Sequence, residues 1–288
     1  MQIKVENLSH VYSKNSKTLA VKALSNVSLS INEGEFFGVI GHTGSGKTTF
    51  IQHLNGLIKV GKESGKITIG EFDLTDKKCD FKALRSRVGM VFQYPEYQLF
   101  AETVFDDVAF GVKNFMPKST PEQTEQLVRE ALELVGLDYQ KYKGKSPFEL
   151  SGGQKRRVAI AGVLVTKPEV LVLDEPVAGL DPVGKKDFIS LLHDIHKKFV
   201  KTIIIVSHDM NLISEHCDRV AVFESGFLRS VSTPKEFFSD FEKVESLSLE
   251  LPTTAYLKKA LLQCGKGEDF DLTIDKFVEQ VTASKGVE

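Results

Sequence analysis

The sequence predicts an α/β fold: a largely parallel sheet with helices on both faces. The apolar runs "FFGVI", "VLVLD" and "TIIIV" are short and show no polar alternation, so they read as strands buried on both sides. Helical patterns such as "TTFIQHLNGL" and "KKDFISLLHDIHKK" lie between them. Strand, helix and strand in alternation is what a parallel sheet requires, because its strands are joined by crossovers.

From the N-terminus, residues 1–40 read as strands and turns: "IKVENLSHVY", "VKALSNVSLSI", a turn at Asn32-Glu33-Gly34-Glu35, then "FFGVI". Glycines follow abruptly after Ile40, and then a helix. "GKITIG" is strand-like, the next stretch is a polar connector, and "VGMVFQ" is an apolar strand ending near Gln93. A helical insertion is expected over about residues 95–167. It is clearest in "PEQTEQLVREALELVGL", where Leu127, Ala131, Leu134 and Val135 recur at helical spacing, Pro121 suits the first turn and Gly136 the end. The core resumes with "EVLVLDEP", a helix, and "KTIIIVSHD". Residues 1–235 are expected to form one domain and 236–288 a small helical appendage, with Leu257, Ala260 and Leu261 giving one of its helices an apolar face.

Hydrophobic residues make up 41% of the 288 and charged residues 26%, a globular balance with material for a full core. The formal net charge of -2 gives no general attraction to nucleic acid, so no nucleic-acid partner is expected. Cys79, Cys217 and Cys264 are too few and too far apart for a disulfide framework or a paired-cysteine metal site, which fits a reducing compartment. His10, His53, His193, His196 and His216 are dispersed and suggest no zinc site. The start "MQIKVENLSHVYS" lacks an apolar signal core, and no apolar stretch approaches the roughly 20 residues that span a bilayer. The chain is expected not to cross a membrane by itself, while docking onto an integral partner stays open.

The segment "GHTGSGKT", Gly41 to Thr48, satisfies the phosphate-loop pattern between a strand and a helix. Gly41, Gly44 and Gly46 let the backbone wrap closely, so that amides from Gly41, His42, Thr43, Gly44, Ser45, Gly46 and on to Thr49 converge on phosphate. Lys47 reaches the terminal phosphates and Thr48 can place its hydroxyl on magnesium; ATP and Mg2+ are the expected cofactors. In "VLVLDEP" the apolar run delivers Asp174 to a strand end, where it can hold magnesium through water or Thr48. Glu175 follows and can orient and deprotonate an attacking water. Gln93 closes another apolar strand, where it can touch both the metal and that water, or serve as an ordinary turn residue. His208 ends "IIIVSH" and can sense the transferred phosphate, or be structural.

A second glycine pair precedes a helix in "LSGGQKRRVAIAGVL". Ser151, Gly152 and Gly153 there form an anion-compatible cap, with exposed amides and the positive end of the helix able to grip phosphate. One chain already carries a phosphate loop, a metal carboxylate and a base. The extra surface is most simply explained as serving a nucleotide held by another chain.

With these motifs in this order, the chain resembles the ATP-binding-cassette (ABC) ATPases, through "GHTGSGKT", Gln93, "LSGGQ", "VLVLDEP", "AGLDP" and His208, over approximately residues 3–235. The resemblance implies a P-loop NTPase fold of ABC type, with an N-terminal antiparallel β subdomain, a mostly parallel core sheet, the helical insertion and the C-terminal appendage. It implies two cassettes closing head to tail on two ATP molecules. Lys47 and Thr48 then bind phosphate and metal, Gln93 and His208 monitor the γ-phosphate, Asp174 supports the metal and Glu175 is the general base. Ser151, Gly152, Gly153 and Gln154 act on the partner's ATP, and Asp181 communicates across the dimer. Tyr12 looks like the aromatic that stacks on adenine, the alternative being an edge-packing residue.

"VFQYPEYQLFAETVFDDVAFG" and "LPTTAYLKKAL" narrow the resemblance to the ATPases of energy-coupling-factor transporters, and most to the second of their two paralogues. This implies an ATP-hydrolysing subunit of an importer for vitamins or other micronutrients, peripheral on the cytoplasmic side of the cell membrane. Its partners would be a paralogous ATPase (or a second copy), a transmembrane coupling protein and a membrane-embedded substrate-binding protein. Glu96, Asp106 and Asp107 could meet basic residues of the coupling protein or could cap and solvate their own helix. The alternatives are the ATPase of a cobalt- or nickel-type importer and a nontransport cassette protein acting on ribosomes or nucleic acid.

Overall fold

The computed structural model describes residues 1–12, 20–61, 63–263, 271 and 273–285; Cys264 lies outside them. The strands form two sheets. In the first, β1 (Ile3–Tyr12) pairs antiparallel with β2 (Val21–Ile31) and with β4 (Lys66–Ile69), and β4 pairs with the short β5 (Phe72–Asp73). In the second, β3 (Phe36–Gly41) lies between β8 (Thr202–Val206) and β9 (Arg219–Glu224), and β7 (Val170–Asp174) and β6 (Val88–Val91) follow beyond β8, all parallel. β10 (Phe227–Ser232) closes the far edge antiparallel to β9. Every residue of β3, β6, β7 and β8 is buried, as two-sided coverage demands.

Alternation along those strands divides the core in two. Phe36, Ile40, Leu171, Leu173, Ile203 and Ile205 pack with α7 (Pro182–Lys198), α8 (Met210–His216) and the helical insertion. Phe37, Val39, Val170, Val172, Ile204 and Val206 pack with α1 (Lys47–Leu54) and the antiparallel sheet. The insertion comprises a 3-10 turn at Pro95–Gln98, α3 (Val104–Phe115), α4 (Pro121–Leu134), α5 (Tyr139–Tyr142), a 3-10 turn at Pro147–Glu149 and α6 (Gly152–Leu164). α4 begins as the sequence suggests: Thr120 and Gln123 form a reciprocal capping box around Pro121, and Gly136 takes φ 74° beyond its end.

Several elements fall outside the sequence expectation, α8 and the short β5 among them. The polar connector contains α2 (Phe81–Arg87), capped by Asp80, with Leu84 buried and Phe81 partly buried against the core, too small an apolar face to show as periodicity. β9 and β10 are also additions, a hairpin that flanks the phosphate-loop strand. At the C-terminus, α9 (Pro234–Ser239), α10 (Phe241–Ser246), α11 (Thr253–Gln263) and α12 (Ile274–Lys285) follow, and Phe237, Phe238, Val244, Leu247 and Ala255 join the same core cluster as the large sheet. Here one expectation is corrected. Leu257 and Ala260 point outward and Leu261 is only half-buried, whereas α11 turns Thr254, Ala255 and Lys258 inward.

Candidate nucleotide site

The carboxyl ends of β3, β6, β7 and β8 open on one edge of the large sheet, where ligands of open α/β sheets bind. β3 delivers Gly41, whose φ of 147° and whose would-be Cβ, 2.2 Å from the Phe223 carbonyl oxygen, exclude any side chain. Gly46, with φ 103°, sits equally close to the backbone: a Cβ there would lie 2.4 Å from the Ala23 carbonyl oxygen. The loop between them is therefore held against β9 and β2. Lys47 is buried beneath it and donates from Nζ to the carbonyls of Gly41 at 2.7 Å and His42 at 2.8 Å. Burial pulls its pKa down, and the carboxylates of Glu175 and Asp174 counter that pull.

Asp174 ends β7 with Oδ2 accepting from Thr48 Oγ1 at 3.2 Å, so two motifs far apart in sequence meet. Burial raises its pKa, opposed by the Thr48 bond and by Lys47. Glu175 adopts a left-handed φ of 48°, sparsely populated by non-glycine residues and here fixed by its amide donating to the Val206 carbonyl at 3.0 Å. Its Oε2 accepts from the His208 amide at 3.3 Å. His208 Nε2 also stands 3.3 Å from Oε1 but without hydrogen-bond geometry, which leaves that buried oxygen without a hydrogen-bond partner. Burial, above all, pushes the Glu175 carboxyl up to about 7. The His208 ring is pushed down by burial and then by the charges of Lys47 and His42.

These groups line one cleft of about 1030 Å³, together with Tyr12, Thr43, Gly44, Gly46, Thr49 and Gln93. Gly41, His42 and Ser45 support the loop from behind, His42 bonding through Nε2 to the Leu247 carbonyl. The cleft also takes residues the sequence did not single out: Lys22 and Ala23 of β2, Lys185 paired with Asp209 at 2.9 Å, and Glu250 and Leu251 from beyond α10. They arrive from separate elements and share no local motif.

Ser151, Gly152, Gly153, Gln154 and Asp181 lie outside this cleft. Ser151 caps α6: its Oγ accepts from the Gln154 amide at 3.4 Å, and Gln154 Oε1 accepts from the Ser151 amide at 3.0 Å. Asp181 caps α7, accepting from the Gly184 amide at 2.6 Å. The three cations after Gln154 do not act together. Arg156 is buried and pairs with Glu96 through Nε and Nη2 at 3.1 and 3.0 Å, and Arg157 bonds the Val135 carbonyl at 2.5 Å. Arg156 also donates to the carbonyls of Pro176 and Ala178 at 3.1 and 3.2 Å, which ties the helical insertion to the segment after Glu175.

Glu96, Asp106 and Asp107, open by sequence either to a basic partner or to a capping role, all make contacts within the chain. Glu96 holds Arg156, Asp107 is buried and accepts from the amides of Phe100 and Ala101, and Asp106 bonds Thr103 and Lys113. What the insertion exposes instead is aromatic: Phe100 and Phe110, edge to face at 4.9 Å, border a groove with Phe92, Gln98 and Phe115.

The donor set fits magnesium. Among the described residues there is no group of three His, Cys, Asp or Glu side chains placed for a metal. One hydroxyl and one buried carboxylate beside a phosphate loop suit an ion that keeps waters and takes its remaining ligands from phosphate.

The ABC transporter family matches residues 24–178. The energy-coupling factor transporter ATP-binding protein EcfA2 of Clostridium tetani is 48% identical over 265 residues, 92% of this chain and 90% of its own length. Its counterpart in Caldanaerobacter subterraneus subsp. tengcongensis is 47% identical over 98% of this chain and 96% of its own length. Among solved structures, cbiO1 of Clostridium perfringens, part of the ABC transporter complex cbiONQ, superposes with a TM-score of 0.73 at 38% identity, covering 89% of this chain and 98% of that one. A dimeric ATP-binding cassette in a post-hydrolysis state with ADP and Pi superposes at 0.69 and 28% identity, covering 81% and 98%. A cleft in which the phosphate loop meets Asp174 and Glu175, and relatives matched over nearly their whole length, lead to one conclusion: the chain belongs to the ABC transporter family, within its energy-coupling factor ATP-binding branch.

Proposed function

We propose that this chain is the ATP-hydrolysing subunit that energises an energy-coupling factor importer of vitamins or other micronutrients, peripheral on the cytoplasmic face of the membrane. The observation that carries the reading is a division of labour. The cleft gathers Tyr12, the phosphate loop, Asp174 and Glu175, whereas the serine-glycine helix start lies outside it, with exposed glycines that nothing in this chain requires. A second cassette brought head to tail would place that start over the nucleotide.

In this reading Tyr12 stacks on adenine, and Lys47 leaves the carbonyls of Gly41 and His42 for the terminal phosphates. Thr48, Asp174 and Gln93 would hold Mg2+, which would supply charge neutralisation at the phosphates. Glu175, with its carboxyl near 7, takes the proton of the attacking water, and His208 holds that carboxylate and contacts the γ-phosphate. Ser151, Gly152, Gly153 and Gln154 close on the partner's ATP, and Asp181 carries the state of one site to the other. The partners are a paralogous ATPase or a second copy, a transmembrane coupling protein and a membrane-embedded substrate-binding protein. The aromatic groove at Phe100 and Phe110 adjoins β6, which ends two residues before Gln93, so a coupling-protein helix seated there would move with the nucleotide. Among the described residues no helix is long and apolar enough to cross a membrane, which fits an energy supplier that leaves the translocation path to others.

The test is purification from membranes with identification of co-purifying subunits and measurement of substrate-coupled ATP turnover. Two membrane proteins and a second cassette are expected, with Glu175→Gln binding ATP but hydrolysing it at least about 100-fold more slowly. A metal ion as the transported substrate would favour the cobalt- or nickel-type alternative. Co-purification with ribosomes alone would overturn the transport reading.

A further inference from the structure

His10 and His53 stand far apart in the sequence and meet behind Tyr12. β1 is bulged: its register with β2 shifts between Val5 and Leu8, and Asn7 takes φ 53°. The extra residue changes which parity faces inward, from Ile3 and Val5 before it to Leu8 after it, so His10 and Tyr12 fall on the face of Leu8. On α1, Thr49 and His53 are four residues apart and share a face. Two strand residues thereby meet two helix residues.

The contacts close on themselves. The His10 ring stands edge to face against Tyr12, centroids 4.5 Å apart at 78°, and against His53, 4.9 Å apart at 75°. Thr49 joins both ends: its Oγ1 is 3.2 Å from the Tyr12 hydroxyl, and its carbonyl lies 2.7 Å from His53 Nδ1. His53 is fully buried, and burial drives its pKa down to about 4, so the ring is neutral. A carbonyl only accepts, so the single ring proton sits on Nδ1 and Nε2 is a bare lone pair. That nitrogen and His10 Nε2 are both buried with no hydrogen-bond partner in the protein, at roughly 1–3 kcal/mol each relative to an apolar ring of the same shape. Tyr12 itself is 44% exposed and forms a wall of the cleft.

We propose that His10 and His53 are positioning residues: through the circuit with Thr49 they fix the face Tyr12 presents to the nucleotide base and lock that face in register with the helix that starts at the phosphate loop. The inference rests on the reading of Tyr12 as base platform. It separates base affinity from phosphate affinity, because the circuit orients a ring and leaves the loop amides untouched.

The test is equilibrium binding of ATP and of inorganic tripolyphosphate to the full chain, by displacement of a fluorescent ATP analogue. His10→Ala is expected to weaken ATP by roughly 3- to 10-fold, the worth of one aromatic edge-to-face pair, with tripolyphosphate affinity unchanged. His10→Phe, which keeps the ring edge, restores ATP affinity, and the His10→Ala effect disappears in a Tyr12→Ala background. Tyr12→Phe, at an exposed ring that does not threaten folding, cuts only the tie to Thr49 and shows a smaller ATP-selective loss. Equal losses for both ligands, an undiminished loss in the Tyr12→Ala background, or unchanged ATP affinity in Tyr12→Phe would overturn the circuit. Unchanged ATP affinity in Tyr12→Ala would instead remove the base-platform reading on which it stands.

Discussion

The molecule carries two glycine loops that lead into helices, and they are built on opposite principles. In the phosphate loop, Gly41 and Gly46 take left-handed φ and lie so close to the Phe223 and Ala23 carbonyls that no Cβ fits. Their own fold demands glycine. In the serine-glycine loop, neither Gly152 nor Gly153 has a left-handed φ, and a Cβ at either would meet nothing within 4 Å. Both are helical residues, where glycine is a poorer choice than alanine by roughly 0.5–1 kcal/mol. A loss that the folded chain does not recover internally points to a close approach from outside. The first loop is finished in the monomer, whereas the glycines of the second go unexplained within one chain, which is what the proposed head-to-tail pairing would require.

The sharpest way to break this contrast is Gly46→Ala. Backbone strain alone is expected to take roughly 1–3 kcal/mol, with the clash at Ala23 in addition, so thermal unfolding should occur earlier and ATP binding by the isolated chain should be lost. Gly153→Ala should do the reverse: unchanged or slightly higher melting temperature, unchanged ATP affinity in the isolated chain, and roughly 100-fold lower turnover in the assembled complex, measured by phosphate release. A destabilised Gly153→Ala chain would erase the distinction between the loops.

The smallest effect sharpens the picture on the phosphate side, where the fold holds buried carboxylates at a cost. The Glu175 carboxyl is raised from the ordinary 4.5 to about 7 in the folded chain, so the native state binds the extra proton and stability falls as pH rises through that interval. In the nucleotide-free chain Glu175→Gln is therefore expected to be more stable than wild type above pH 7, by on the order of 2 kcal/mol, with the gain fading toward pH 5. Melting curves at the two pH values check it; a gain that grew on acidification would contradict the sign.

Features carried by local pattern are legible in the sequence. The phosphate loop, the apolar run ending in Asp174 and Glu175, and the Pro121 and Gly136 boundaries of α4 all read directly, because strand burial and helix capping are set within a few residues. Features that depend on what faces a side chain are not. The carboxylates Glu96 and Asp107 look solvated in sequence but are consumed by Arg156 and by the amides of Phe100 and Ala101. The leucines of α11 look like an inward stripe, yet Ala255 occupies that place. The dispersed histidines pair in space, His10 with His53 and His193 with His216.

By itself, then, the amino-acid order determined the alternation of strands and helices and the chemistry offered at each strand end, since those follow from neighbouring residues and the periods of backbone geometry. Only the tertiary structure decided which distant groups touch: Thr48 with Asp174, Arg156 with Glu96, and Tyr12 with His10 and Thr49. Such contacts depend on bulges, sheet order and the depth of burial, which arise when elements hundreds of atoms apart along the chain are packed to one density and no local period encodes them.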